Sequence, residues 1–138
     1  MSEFFIRPFR ESDEKEVITL WKECGLVVPQ NDPHKDIMTK YFFQPELFFI
    51  GLLSNEIIAT VMAGYEGHRG WINYLGVLPK YQRKGYAQIM MEAAEKKLKN
   101  LGCPKINLQV RHTNKSVIEF YTKIGFKDDR VLSLGKKL

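Results

Sequence analysis

The passage from residue 71 to residue 111 constrains this chain most. It opens on the β-rich "WINYLGVL", crosses the charged loop "PKYQRKG", and continues into a stripe of Ala87, Met90, Met91, Ala94, Leu98 and Leu101 at helical spacing. Gly102 caps that helix, and Ile106, Leu108 and Val110 then alternate as a strand over residues 105–111. A strand, a helix and a strand in succession predict a parallel pair joined by a right-handed crossover. The loop then lies at the carboxyl end of the first strand, where open α/β sheets bind ligands. Gln82, Arg83 and Lys84 crowd there against Gly85, beside the backbone N–H groups that a helix start leaves without acceptors. Gly85 admits close backbone approach and Ala87 clears the next turn, so the loop suits a phosphate or diphosphate. No G-x-G-x-x-G occurs, and "LGKKL" has neither the spacing nor the following helix of a nucleotide-binding P-loop.

The rest of the chain supplies a meander ahead of this unit. "FFIRPFR" reads as a first strand, and Asp13 with Glu16 predicts a capping box for a helix carrying Val17, Leu20, Trp21 and Cys24 and closing at Gly25. Asp32 before Pro33 starts a second helix with Ile37, Met38, Tyr41 and Phe42 at helical spacing, and Pro45 ends it. Residues 47–53 and 57–65 are β-rich runs joined by "SNE", and "EGHRG" leads into residues 71–78. Asn114 caps a further helix with Val117, Ile118, Tyr121 and Ile124 inward, and one or two last strands follow Phe126. The 138 residues fit one domain, 1–138, with a mixed α+β sheet.

Composition removes several classes of function. Hydrophobic residues at 44%, with 12% aromatic and no internal repeat, exclude disorder and solenoids. The longest apolar run, residues 47–53, is too short to cross a bilayer, and the charged start is unlike a signal peptide, so a cytoplasmic protein is expected. Cys24 and Cys103 read as unpaired thiols, and His34, His68 and His112 lack metal-ligand spacing, so no metal is expected. A net charge of +5 and a pI near 9.2 suit an anionic partner. The cations of "EKKLKNLG" form a solvated helix face, and no RNA-binding motif interleaves cations with aromatics, so neither nucleic acid nor membrane is an expected partner.

Two motifs together resemble the GNAT family of N-acetyltransferases over almost the whole chain. "QRKGYA" at residues 82–87 is similar to that family's diphosphate motif, and "NKSVIEFYTKIGF" at residues 114–126 to its Asn, Tyr and Gly-Phe signature. "QNDP" and "MAGYEGHRG" further resemble a small bacterial branch often called YpeA. The resemblance implies a mixed, mostly antiparallel sheet of six to seven strands, about four helices and a splayed central parallel pair. It implies acetyl-CoA as co-substrate, its pantetheine arm against the backbone of Leu75, Gly76 and Val77. The diphosphate would lie on Gln82, Arg83, Lys84, Gly85, Tyr86, Ala87 and Gln88, and Asn114 would contact the arm. Tyr121 would protonate the leaving thiolate, and a backbone N–H near Val77 would hold the oxyanion. Some members carry a basic side chain where this chain has Trp71, Asn73 and Gln109, none of which is basic. That leaves Glu66 as a candidate base, or a water held by Asn73 or Gln109. The acceptor, an amine of a small molecule, peptide or protein, would meet a wall formed by residues 29–32, including Asn31 and Asp32, and by the last hairpin. An acetyl-CoA-dependent N-acetyltransferase, monomeric or homodimeric, is the expected function, and a weak or inactive acyl-CoA-binding module is its rival.

Overall fold

The computed structural model describes residues 3–138. It divides into two compact units, residues 1–108 and 109–138, each described by itself. In the first unit five strands lie in the order β1 (Phe4–Pro8), β2 (Phe48–Leu53), β3 (Glu56–Tyr65), β4 (Gly70–Val77) and β5 (Ile106–Leu108). Neighbours are antiparallel except β4 and β5, which run parallel through the crossover helix α3 (Tyr86–Asn100). Helices α1 (Glu14–Glu23) and α2 (Pro33–Phe43) precede β2. Ser54 and Asn55, both left-handed (φ 50 and 66), make the two-residue turn between β2 and β3.

Strand periodicity separates the two faces. Phe48, Ile50 and Leu52 turn toward α1 and α2, where Phe9, Val17, Leu20, Trp21 and Ile37 complete a core. Gly51, between them, faces the other way and leaves room for Phe4 and Met90 of α3. Burial of Met90, Met91, Ala94 and Leu98 agrees with the helical stripe, whereas Leu101 at its end is half exposed.

Several local details differ from the sequence reading. Asp13 is not the cap of a box with Glu16: its carboxylate accepts two bonds from the Arg7 guanidinium (2.7 and 2.9 Å) and one from Arg10 N–H (2.8 Å). Burial pushes the Asp13 carboxyl up, but these donors outweigh it and hold its pKa below the usual value. Asp32 does cap α2, accepting from Lys35 N–H at 3.2 Å. Of the residues at helical spacing, Ile37, Met38 and Tyr41 meet the core, whereas Phe42 is 79% exposed.

The second unit holds α4 (Lys115–Lys123), preceded by Asn114 and followed by the left-handed Gly125 (φ 107). No strand follows Phe126 among the described residues, and β5 is shorter than the expected 105–111. The fold is therefore the expected mixed, mostly antiparallel one, with four α-helices but, among the described residues, five strands instead of six or seven. Val131, Leu132 and Leu134 have strand propensity yet stay exposed, since propensity makes a strand only where an edge pairs with it.

Candidate active site

The site begins with a break in β4. Thr60 of β3 pairs with Gly76 and Met62 with Asn73, so Tyr74 and Leu75 together oppose Val61. This is a β-bulge, and Tyr74 within it takes the left-handed conformation (φ 51). A chain of two bonds holds it: Trp21 Nε1–H donates to Thr60 Oγ1 in the core (2.9 Å), and Thr60 Oγ1–H donates to Tyr74 O (2.9 Å). β5 pairs with β4 only at Gly70, Trp71 and Ile72. From Asn73 to Val77 the β5 side of β4 has no strand partner among the described residues, and such an edge can pair with an amide-bearing ligand.

The loop after β4 turns sharply. A 3-10 turn at Pro79–Tyr81 is followed by Gln82, whose side-chain amide donates back to Val77 O (2.9 Å). Arg83 and Gly85 are both left-handed (φ 61 and 92). A β-carbon on Gly85 would point into open space, so the backbone angle, not crowding, demands glycine there. The first rung of α3 runs from Ile89 N–H to Gly85 O (3.2 Å), which leaves the N–H groups of Tyr86, Ala87 and Gln88 ahead of the ladder. Arg83, Lys84 and Gln88 are exposed around them, and the Tyr86 ring rests on Phe4 (centroids 4.7 Å apart). Outward N–H groups, the positive end of a fifteen-residue helix and two cations make an anion seat that fits a diphosphate.

Asn31, Asp36 and Tyr74 converge at the bulge. Tyr74 OH donates to Asp36 Oδ2 and accepts from Asn31 Nδ2, while its ring stacks on Trp21. Burial first, and then its bond to Asp36, push the Tyr74 phenol up to about 12. Asn31 also receives Val28 N–H on Oδ1 (2.8 Å), so its side chain is committed to the turn before α2. Neither Asp36 nor Tyr74 was legible as a site residue, because they lie 38 positions apart and only the fold brings them together.

Glu66 sits in the β3–β4 turn, where its carboxylate accepts the N–H groups of Arg69 and His68 and is held below the usual carboxyl pKa by them. From Gly70 to Val77 the strand rises about 3.3 Å per residue, which separates that turn from the loop by roughly 20 Å. Asn73 is exposed beside the bulge. In the second unit Gln109 donates to Ser133 Oγ, Asn114 is exposed, and Tyr121 is buried with Phe120 and Phe126 edge-on to its ring (5.1 and 5.4 Å). Burial pushes the Tyr121 phenol up to about 12, so it keeps its proton at neutral pH. No group of three or more metal-ligating side chains occurs among the described residues, and no helix there is long and apolar enough to cross a membrane.

Comparison with known proteins agrees with this fold. The chain is 48% identical over 134 residues to an acetyltransferase of Sodalis glossinidius, covering 96% of this chain and 94% of that one. It is 45% identical over 133 residues to an acetyltransferase of Yersinia enterocolitica, with the same coverage. Its fold is similar to that of the aminoglycoside N-acetyltransferase AAC(6')-Iy in complex with CoA (TM-score 0.79, 18% identity, 100% of this chain and 97% of that one). It is also similar to the ribosomal-protein-S18-alanine N-acetyltransferase from Escherichia coli (TM-score 0.77, 18% identity, 91% and 78%). The sequence model of the acetyltransferase (GNAT) family matches residues 9–126, and the chain belongs to that family.

Proposed function

We propose that this protein transfers an acetyl group from acetyl-CoA to a primary amine. The observation that carries the proposal is the open edge of β4 from Asn73 to Val77, leading directly into the left-handed loop and the N-terminus of α3. When bound, acetyl-CoA supplies an activated thioester. The backbone of Leu75, Gly76 and Val77 offers amide groups to its arm, and the N–H groups from Arg83 to Gln88 hold its diphosphate, with Arg83 and Lys84 adding charge. The Gln82 amide, bonded to Val77 O, supports the loop from behind.

Tyr121 is the proposed acid for the leaving thiolate, on the strength of its motif and of a phenol that stays protonated well above neutral pH. Asn114 is the proposed contact to the arm, and Asn31 and Asp32 border the acceptor. Glu66 is a poor base here, since its lowered pKa and its turn contacts leave little tendency to take a proton. In this reading the amine's proton leaves to bulk solvent, relayed by a water held by Asn73 or Gln109. That residues 1–138 work as one domain, and that the chain belongs to the YpeA-type branch, are parts of the same proposal; the family match across residues 9–126 supports the first.

The test is calorimetric titration with acetyl-CoA followed by an amine-dependent thiol-release assay. Binding with release supports the proposal, binding without release from any amine supports the acyl-CoA-binding module, and no binding overturns both.

A further inference from the structure

A groove of about 370 Å³ runs between α2 and the sheet, entirely within the first unit. Its floor is Met62 of β3 and Asn73 of β4, which are cross-strand partners. Asp36 and Phe43 form the α2 wall, and Tyr74 closes the end at the bulge. The groove therefore meets β4 at Asn73, the first residue beyond the last β5 pair, where the free edge begins.

Its chemistry is asymmetric. Asp36 is the one carboxylate lining the groove, and Tyr74 OH engages one of its oxygens, leaving Oδ1 to accept from a ligand. Two cations, Lys35 and Lys40, stand along the same wall, so the lining carries one negative charge against two positive ones. Lys40 is fixed: its ammonium donates to Ala63 O and to Gln44 Oε1 (3.2 Å), which ties α2 to β3 and holds Asp36 over the bulge. A single ammonium fits beside Asp36, while a second positive charge on the same molecule would approach Lys35 and Lys40. Met62 and the 72% exposed Phe43 give an uncharged stem an apolar surface.

We propose that this groove seats the acceptor and that Asp36 holds the ammonium of an amine bearing one positive charge on an uncharged, apolar stem. The inference rests on the acetyltransferase reading above and narrows its acceptor class; polyamines and polycationic sugars are poor acceptors.

The test compares phenylethylamine with spermidine at saturating acetyl-CoA, in the wild-type protein, Asp36→Asn and Lys35→Glu. The wild type favours phenylethylamine in kcat/KM by at least about tenfold. Asp36→Asn keeps an oxygen acceptor for Tyr74 and the thermal shift given by acetyl-CoA, yet raises the KM for phenylethylamine about ten- to a hundredfold through loss of one charged hydrogen bond. Lys35→Glu, at an exposed position, lifts spermidine toward phenylethylamine, and this arm stands even if Asp36→Asn does not fold. An unchanged KM in folded Asp36→Asn, a wild-type preference for spermidine, or no gain for spermidine in Lys35→Glu overturns the inference while leaving the acetyltransferase reading intact. Loss of the acetyl-CoA shift in the wild type, or no turnover of any amine, overturns that reading and the inference with it.

Discussion

Tyr74 lies flat on Trp21, their ring centroids 3.7 Å apart and their planes within 9°. The same tryptophan reaches the backbone of Tyr74 through Thr60, so one buried side chain of α1 fixes both the ring and the carbonyl of the bulge residue. The opening of β4 is thus built into the core. Thr60→Val removes both bonds of this relay at a fully buried position and leaves the Trp21 N–H and Tyr74 O without that partner. The expected cost is about 1–3 kcal/mol in chemical denaturation, together with weaker acetyl-CoA binding as the bulge relaxes. A variant as stable as the wild type would mean that the relay does not hold the bulge.

Much of this architecture is legible in the sequence, and the exceptions have physical causes. The crossover is readable because its signals are local: period-2 alternation, a helical stripe, and glycines that only a turn explains. The Asp32 cap is readable for the same reason. Asp13 is misread because its carboxylate serves a guanidinium six residues earlier in place of its own helix, and nothing local distinguishes the two. The missing last strands have the right residues and no paired edge. Asp36 and Tyr74 are invisible because their meeting depends on how α2 docks on β4.

Gly85 offers the next prediction. Its φ of 92 strains any other residue, so Gly85→Ala costs about 1–2 kcal/mol in stability. Gly85→Glu adds a negative charge beside the N–H groups of α3, and the rise in Tm given by acetyl-CoA disappears. Arg83→Ala and Lys84→Ala keep those N–H groups and weaken binding less, with a deficit that shrinks at high salt. A full shift in Gly85→Glu would remove the diphosphate from this loop.

Lys40 makes stability depend on pH. Burial between α2 and β3 lowers its ammonium from the usual 10.5 to about 8, with Glu46 opposing the shift. Between those values the unfolded chain holds a proton that the folded protein has released, so stability rises with pH through that window. Melting curves from pH 7 to 10 should show that rise in the wild type relative to Lys40→Met. Parallel curves for the two proteins would contradict the assignment.

Tyr121→Phe keeps the ring against Phe120 and Phe126 and removes only the hydroxyl. As the proposed acid, it should lose about a hundredfold or more in kcat with little change in acetyl-CoA affinity. Because the phenol titrates only near 12, wild-type turnover should climb from pH 7 to 9 with the fraction of neutral amine, whose pKa is about 10.4, and show no falling limb from Tyr121. A variant with near-full kcat would place the acid elsewhere.

Acetyl transfer is tested by following thiol release and N-acetyl product together in one reaction containing the protein, acetyl-CoA and a panel of primary amines. Both should appear in equal amounts, neither should form without an amine, and Gly85→Glu should abolish both. Tight acetyl-CoA binding with no product from any amine, or thiol release unaccompanied by N-acetyl product, would contradict it.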